Sequence, residues 1–158
     1  MADDEPTKHA FRKGPARRAG NALITRLIRA GLVPHTYLLT TRGRRTGQPH
    51  TNPVTLVEHG EQCWLVAPYG AVDWVHNARA AGRVSLRRGR RKLERSIREL
   101  DDAHEAAPIL KEYLSITGPP RRYFAAKLDD PTEQFEAEAL THPVFELRPL
   151  DSWRWRTP

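Results

Sequence analysis

Two glycines that bracket two arginines and a threonine make the segment of this sequence with the clearest chemical potential. Gly43 and Gly47 allow the backbone to turn tightly, while Arg44, Arg45 and Thr46 bring two guanidinium groups and a hydroxyl to one place. Such groups, together with exposed backbone N–H groups, bind phosphates and carboxylates. The segment therefore predicts an anion cradle, and a solvated basic hairpin is the alternative. It is neither a Walker loop nor a Rossmann fingerprint, because both glycine patterns are missing.

Other residues of catalytic type predict neither a metal centre nor a reactive thiol. Cys63 lies in the apolar run 63–67 and is the only cysteine, which indicates a buried core thiol rather than a nucleophile. A single unpaired cysteine also fits a reducing compartment. The histidines are scattered, with no familiar metal-ligand spacing, so we expect no metal. Apart from His9 near the N-terminus, they are His35, His50, His59, His76, His104 and His142.

The charge balance indicates an acidic partner. The 26 lysines and arginines outnumber the 19 acidic residues, which gives a net charge of +7. Nucleic acid, an anionic membrane surface and a small polyanion would each account for this excess. The basic run at residues 83–98 is a possible nucleic-acid surface, but no stacking aromatic interrupts it and such runs are more often solvated faces. Residues 153–156 (WRWR) either touch a membrane weakly or pack on the domain, since their apolar residues are too few for firm anchoring.

Hydrophobic patterning predicts an α+β fold of one domain. The expected strands are 36–42, 50–58, 61–67, 83–87, 92–100 and 143–150. The expected helices run from Asn21 to a stop at Gly31, over 72–80, from a cap at Asp101 or Asp102 to Ile116, over 121–128 and over 131–140. About six short, mostly hairpin-linked strands favour an antiparallel barrel, closed or partly open, over a parallel sheet. Within the strand at 92–100, Leu93, Arg95 and Ile97 share one face.

The chain ends differ in composition from the central domain. Residues 1–18 are polar, basic and interrupted by proline and glycine, which predicts a flexible basic arm. The domain itself is expected at residues 19–150, followed by a tail at 151–158. The N-terminus is charged, unlike a signal peptide, and no apolar run approaches the roughly twenty residues of a bilayer span. We therefore expect a cytoplasmic protein, and peripheral contact with the inner face of the cell membrane stays open as an alternative.

Three segments resemble the deazaflavin-dependent nitroreductase and oxidoreductase family. The resemblance lies in LLTTRGRRTGQPHTNP at residues 38–53, CWLVAPYG at 63–70 and WVHN at 74–77, and it covers roughly residues 38–97. It implies a split β-barrel of the FMN-binding-like type and the cofactor coenzyme F-420, whose phosphate and oligoglutamate tail would account for the basic turn. FMN is the alternative cofactor, because it suits the same barrel.

The resemblance also implies a set of cofactor-binding residues. The phosphate and tail would contact Arg44, Arg45, Thr46, Gly47, Gln48 and His50. The deazaflavin would contact Asn52, Pro53, Val54, Ala67, Pro68, Tyr69, Gly70, Trp74 and Asn77. His50 stands where relatives carry an arginine, which implies weaker or pH-sensitive tail binding because a histidine changes its charge near neutral pH.

The cofactor supplies the hydride, so the protein has to position the reactants and, in some reactions, supply a proton. Tyr123 is the leading catalytic candidate, because a phenol can lie against an aromatic substrate and donate a hydrogen bond. Tyr113 and Thr55 are the other expected substrate contacts, and Tyr69 is a further candidate. Thr55 stands where nitroimidazole-activating relatives can carry a tyrosine, which argues against that substrate.

The predicted function is transfer of a hydride from reduced F-420 to a flat electron-poor acceptor, such as a quinone, a nitroaromatic or an activated enone. The alternative is a non-catalytic basic module that binds nucleic acid or an anionic surface. The two differ in the arginines they require: the enzyme needs Arg44 and Arg45, whereas the module would depend on residues 87–98. Either a monomer or a homodimer is compatible with the sequence.

Overall fold

The computed structural model describes residues 15–150, with side chains from Ala22 onward. Within this range, six strands form a barrel and helices flank it. The strands are β1 (Thr36–Arg42), β2 (Pro49–His59), β3 (Gln62–Val66), β4 (Arg83–Arg88), β5 (Arg91–Glu99) and β6 (Val144–Pro149). The α-helices are α1 (Pro15–Arg29), α2 (Asp73–Ala81), α3 (Ala103–Ile116) and α4 (Phe135–Glu138), with 3₁₀ turns at Pro119–Tyr123 and Thr132–Gln134.

The barrel closes in the order β1-β2-β3-β6-β5-β4, and every neighbouring pair is antiparallel. Tight hairpins join β1 to β2, β2 to β3 and β4 to β5, whereas β6 returns from the end of the chain to lie between β3 and β5. The predicted α+β split β-barrel is therefore confirmed. Each predicted strand agrees with the structure to within one residue at either end, because period-two alternation and turn residues are strong local signals.

Alternate strand residues fill the barrel interior. Tyr37 and Leu39 of β1 point inward, as do Val54 and Leu56 of β2 and Phe145 of β6. One end of the interior is covered by α2, whose buried face carries Trp74, Val75 and Ala78. That helix ends at Gly82, which has the left-handed conformation (φ +67°) and donates its N–H to the carbonyl of Ala78. The barrel core thus fixes the orientation of α2 relative to β1.

A second apolar cluster covers the outer face of β2, β3 and β6. Val57, Val66 and Val144 pack there against α3 and α4, which contribute the fully buried side chains of Leu110 and Phe135. Asp102 caps α3 by accepting a hydrogen bond from the His104 N–H at 2.9 Å, as one of the two predicted caps. This cluster anchors the segment between α3 and β6 that carries Tyr123.

The helix predicted at residues 121–128 is wrong. Only the short 3₁₀ turn Pro119–Tyr123 forms, and the chain then continues irregularly. The reason is that carboxylates take up its backbone donors: Ala126 N–H donates to Glu138 Oε1 at 2.6 Å, and Lys127 N–H donates to Asp130 Oδ2 at 2.7 Å. Such side-chain acceptors, one local and one twelve residues away, compete with helical carbonyls. The helix predicted at 131–140 is likewise reduced to a 3₁₀ turn and the single turn of α4.

Helix α1 differs from its prediction in extent and in burial. It begins at Pro15 rather than Asn21, so residues 15–18 of the predicted arm are helical; proline is favoured at the start of a helix. Of its predicted apolar stripe, only Ile28 is fully buried, while Leu23 and Ile24 are 59% and 49% exposed. The Gly89 N–H donates to the Ile28 carbonyl, which attaches the end of α1 to the β4–β5 turn.

The remaining predictions about the chain ends, including residues 1–14 and the WRWR segment, lie outside the described residues. No helix in the described range is long and apolar enough to cross a membrane. No group of three or more histidine, cysteine, aspartate or glutamate side chains is gathered as a metal site within that same range.

Candidate functional site

The predicted anion cradle is the turn between β1 and β2. Gly43 N–H donates to the Gln48 carbonyl, and Gly47 N–H donates to the Gly43 carbonyl, both at 2.8 Å. Gly47 has φ +70°, a conformation that glycine adopts without strain. A Cβ atom on Gly43 would lie only 2.7 Å from Thr46 Oγ1 and 3.1 Å from His50 Nε2. Gly43 therefore makes room for Thr46 and His50 to approach the turn closely.

Helix α2 holds the first arginine of the turn. The buried Asn77 side chain accepts two hydrogen bonds at its Oδ1, from the Arg44 N–H at 3.1 Å and from Arg44 Nη1 at 3.0 Å. Arg44 Nη1 also lies 3.5 Å from Asp73 Oδ1, at the first turn of α2. Backbone and side chain of Arg44 are thus fixed before any ligand binds, and this lowers the entropic cost of binding one.

A cavity of about 500 Å³ lies between this turn and α2. Seven residues of the predicted cofactor set line it, namely Arg44, Arg45, Thr46, His50, Asn52, Trp74 and Asn77. Its lining is mostly polar and carries two guanidinium groups against the single carboxylate of Asp73. We call it the charged cavity. Its composition suits a ligand with several negative charges.

A second cavity of about 280 Å³ adjoins the first, and we call it the apolar cavity. Its wall includes the predicted residues Pro53, Val54, Thr55, Pro68, Tyr69, Trp74 and Tyr113. Trp74 lines both cavities, and strand β2 passes from one to the other between Asn52 and Pro53. Charged and apolar cavities together form a groove that is polar at one end and apolar at the other.

The three candidate tyrosines occupy different positions around the apolar cavity. Tyr113 is buried and lines the cavity, and its burial, with a smaller contribution from nearby Tyr69, raises the pKa of its phenol well above the usual value. Tyr69 lines the cavity as well but is 55% exposed. Tyr123 lies outside the wall and packs edge-on against Tyr69, with ring centroids 4.8 Å apart. Tyr113 is therefore the phenol that faces the interior.

Besides Tyr123, four predicted site residues line neither cavity. Gly47 faces the opposite side of the hairpin, and Gln48 is exposed. Ala67 is fully buried in the barrel core. Gly70 (φ +79°) forms a turn in which a Cβ would lie 3.3 Å from the Thr141 carbonyl. These positions shape the two turns, while the cavity walls are formed by their neighbours.

Sequence reasoning missed several residues of the groove. Asp73 and Thr51 line the charged cavity, and Ile24, Val33 and Thr36 line the apolar one. A signal existed for Asp73, because it begins a predicted helix whose Asn77 was already in the predicted set. The packing of α1 beside the cavity brings Ile24 and Val33 there, and no local pattern indicates that packing.

Comparisons with known proteins identify the family and agree with the fold. The sequence matches the family described as F420H(2)-dependent quinone reductase over residues 15–116, which is more than half of the chain. No match was found among curated proteins.

Solved structures give the same picture of the barrel. An F420-H2 dependent reductase (FDR-A) is 26% identical with a TM-score of 0.53, covering 73% of this chain and 95% of its own. A protein described as a domain-swapped dimer is 24% identical with a TM-score of 0.54, covering 83% and 96%. A putative pyridoxamine 5'-phosphate oxidase from Listeria innocua shares the fold at 12% identity, with a TM-score of 0.52 and coverage of 80% and 93%. The family match over more than half of the sequence shows that the chain belongs to the F420H2-dependent quinone reductase family.

Proposed function

We propose that this protein transfers a hydride from reduced coenzyme F420 to a flat electron-poor acceptor, such as a quinone, a nitroaromatic or an activated enone. The observation that carries the proposal is the groove, in which a charged and an apolar cavity meet at Trp74. Coenzyme F420 is divided in the same way as the groove. Its aromatic deazaflavin would suit the apolar cavity, and its phosphate and glutamate carboxylates would suit the charged cavity. When bound, the reduced deazaflavin supplies a hydride from its C5 atom.

The residues of the charged cavity fit the phosphate and the tail. Arg44 and Arg45 offer guanidinium donors, and Thr46 offers a hydroxyl beside the turn that Gly43 keeps open. Each charge-assisted contact contributes about 1.5–3 kcal/mol when its geometry is good, and less where the site stays wet. We infer that Arg44, held by Asn77, fixes the position of the anion, while Arg45 and His50 extend the contact along the tail.

The apolar cavity fits the ring system and the acceptor. Pro53, Val54 and Trp74 provide apolar wall, so water is excluded from the place where the two reactants would meet. Thr55 and Tyr113 provide the polar groups within this wall. Tyr69 and Tyr123, packed edge to face, stand at its exposed side and would limit the size of the acceptor.

Tyr113 is the phenol that we assign to the reaction within the cavity. Because burial raises its pKa, Tyr113 keeps its proton throughout the neutral and mildly alkaline range. Its hydroxyl can therefore donate a hydrogen bond to an acceptor carbonyl oxygen that gains negative charge as the hydride arrives. Tyr123, the leading candidate from sequence, would act from outside this wall, where it orients Tyr69.

The first experiment measures which part of the cofactor is recognised. The protein is titrated with coenzyme F420, with the deazaflavin chromophore that lacks phosphate and tail, and with FMN, and binding is followed by fluorescence. We expect F420 to bind about a hundredfold more tightly than the bare chromophore, since two charge-assisted contacts are added. Tighter binding of FMN than of F420 would contradict the proposal.

Two double variants that remove equal charge test which arginines recognise the phosphate and tail. The double substitution Arg44→Gln and Arg45→Gln should reduce the affinity for F420 to nearly that for the bare chromophore. Arg87→Gln with Arg90→Gln removes the same charge from the β4–β5 hairpin, outside the groove, and should leave the affinity unchanged. An equal loss in both double variants would mean that only the overall charge matters, which would argue against a specific tail site.

The second experiment tests the reaction and the two phenols. Oxidation of reduced F420 by a quinone such as menadione is followed by absorbance, with the wild type, Tyr113→Phe and Tyr123→Phe. We expect Tyr113→Phe to lower kcat about tenfold, as is usual for the loss of one hydrogen-bond donor to a developing charge. Tyr123→Phe should change KM more than kcat. The reverse result would assign the reaction to Tyr123.

A further inference from the structure

Two arginines occupy inward-facing positions of the barrel, at the end opposite the basic turn. Along β5, Leu93 and Ile97 pack against the barrel core, and the period-two alternation of a strand places Arg91 and Arg95 on that same face. Inward positions of a small barrel are normally filled by apolar side chains. Arg91 is exposed, while Arg95 is half-buried and donates one hydrogen bond to the Glu94 carbonyl at 3.3 Å. A half-buried charge is retained at a cost unless it is fully partnered. These two arginines therefore call for a functional explanation.

A cavity of about 320 Å³ opens at this end of the barrel, and we call it the barrel-end cavity. Leu56, Leu86 and Leu93 form its apolar floor, and Arg91 and Arg95 stand at its rim. It shares no lining residue with the charged or the apolar cavity. Its volume lies at the small end of the range of about 300–1,000 Å³ that is usual for ligand pockets.

Of the other polar groups of this cavity, Glu58 and Tyr37 are already engaged. Glu58 accepts a hydrogen bond from the Tyr37 hydroxyl at 2.7 Å and lies 3.5 Å from His35 Nδ1. Burial, reinforced by Glu58, raises the pKa of Tyr37, so this phenol stays neutral. Glu61, also at the rim, is exposed. Among the described residues, neither Arg91 nor Arg95 has a carboxylate within ion-pair distance, whereas Arg98 on the same strand has two.

Cys63 lines the barrel-end cavity together with Arg91 and Arg95. Burial raises the pKa of the Cys63 thiol, and the nearby positive charges of Arg95 and Arg91 oppose this rise. The thiol itself stays protonated and offers no nucleophile.

We propose that the barrel-end cavity binds a small organic carboxylate with an apolar body. Arg91 and Arg95 would hold the carboxylate, since guanidinium groups match its planar geometry. The apolar part would lie against Leu56, Leu86 and Leu93. This site is independent of the cofactor groove, and its ligand is distinguished from F420 by a single charge and an aliphatic body.

Octanoate serves as the test ligand. Octan-1-ol, which lacks the charge, is the control for the carboxylate, and acetate, which lacks the long chain, is the control for the apolar part. Binding is followed by the shifts of backbone amide resonances in the full-length protein. We expect octanoate alone to bind measurably, with the largest shifts at Leu56, Leu86 and Leu93. Equal binding of octanol, or shifts centred on Val54 and Trp74, would overturn the proposal, because the ligand would then be held without the arginines or within the cofactor groove.

The variants compare the two faces of one strand. Arg95→Gln and Arg91→Gln should each weaken octanoate binding about tenfold, as expected for the loss of one charge-assisted contact. Lys92→Gln removes the same charge from the opposite face of β5 and should have no effect. Thermal unfolding of each variant confirms that it is folded, and F420 affinity should stay unchanged in all three. Equal effects of Lys92→Gln and Arg95→Gln would overturn the proposal.

Discussion

Two arginine-rich segments of this protein, the turn at residues 43–47 and the run at 83–98, differ in what their charges contact. At the turn, Arg44 is oriented by the neutral acceptor Asn77, and Arg45 lines the charged cavity. In the run, Arg98 is held by the carboxylates of both Glu105 and Glu146. The first segment directs positive charge toward a ligand, while the second partly neutralises its charge within the fold.

The density of arginine along the sequence is therefore a poor guide to a binding surface. The pKa of Arg98 is raised, first by its hydrogen bond to Glu105 and then by the one to Glu146. Arg79, just before the run, is similarly bound to Glu99 at 2.8 Å. Arg95 is half-buried beside the barrel-end cavity, which Arg91, although exposed, also lines. Only part of the run thus remains on the outer surface, which weakens the nucleic-acid alternative.

Among single substitutions, the largest expected effect comes from changing the shape of the turn without changing its charge. In Gly43→Ala the new methyl group would lie 2.7 Å from Thr46 Oγ1 and 3.1 Å from His50 Nε2, so both side chains must move. We expect the affinity for F420 to fall by about thirtyfold, or about 2 kcal/mol, as the contacts of both residues are misaligned. Isothermal titration measures this loss.

The control for Gly43→Ala is Gly118→Ala, where an added Cβ would meet nothing within 4 Å. This variant should bind F420 like the wild type. Unchanged affinity in Gly43→Ala would show that the arginine charges suffice, whatever the geometry of the turn.

The second prediction is that substitutions in the two segments affect different properties, F420 binding in the turn and stability in the run. Arg45→Gln should weaken F420 binding about tenfold and leave the thermal stability unchanged, because this arginine has no ion pair within the described residues. Arg98→Gln should leave F420 binding unchanged and lower the free energy of unfolding by about 1 kcal/mol, since its two ion pairs are partly exposed. If either variant affected both properties equally, the distinction between the segments would fail.

The third prediction concerns pH. The hydrogen bonds of Glu146 to Arg98 and then to Arg148 lower the pKa of its carboxyl below the usual 4.5. A lowered folded-state pKa contributes stability that is present above pH 4.5 and is lost as the pH falls through the folded-state pKa. Glu146→Gln should therefore reduce stability by about 1 kcal/mol at pH 7 and by less in strong acid. Chemical unfolding across this range measures it; a difference that stayed constant with pH would contradict the ion-pair explanation.

The smallest expected effect comes from the one carboxylate of the charged cavity. Asp73 is highly exposed and lies 3.5 Å from Arg44, where it competes with an anionic ligand. Asp73→Asn should therefore tighten F420 binding by about threefold, since exposed pairs are weak. The control Asp101→Asn, an exposed position outside both cavities, should have no effect. Weaker binding in Asp73→Asn would mean that Asp73 serves mainly to orient Arg44.

The sequence predicted the framework of the site well, because its signals are local. Alternation defined the strands, and Gly43 with Gly47 defined the turn whose cavity contains seven of the predicted cofactor residues. Predictions failed where distant parts of the chain compete for the same groups. Glu138 binds the Ala126 N–H from twelve residues away, so the expected helix there does not form.

The direction in which a side chain points was the other feature that could not be predicted from the sequence. Tyr113 and Tyr123 have equivalent chemistry, and only the packing of α3 shows that Tyr113 faces the apolar cavity. The face shared by Leu93, Arg95 and Ile97 was visible in the sequence as alternation. Its location at an open end of the barrel depends on pairing with β4 and β6, which no single segment encodes.

The position of β6 in the barrel sets an order for folding during synthesis. This strand pairs Leu147 with Cys63 of β3 and with Ile97 of β5, so contacts span up to 84 residues of chain. Until residues 144–149 have left the ribosome, β3 and β5 keep unpaired edges and the barrel stays open. Both cavities of the cofactor groove are lined by residues made earlier. The ability to bind cofactor should therefore arise late and abruptly as the chain is made, when its last strand completes the wall.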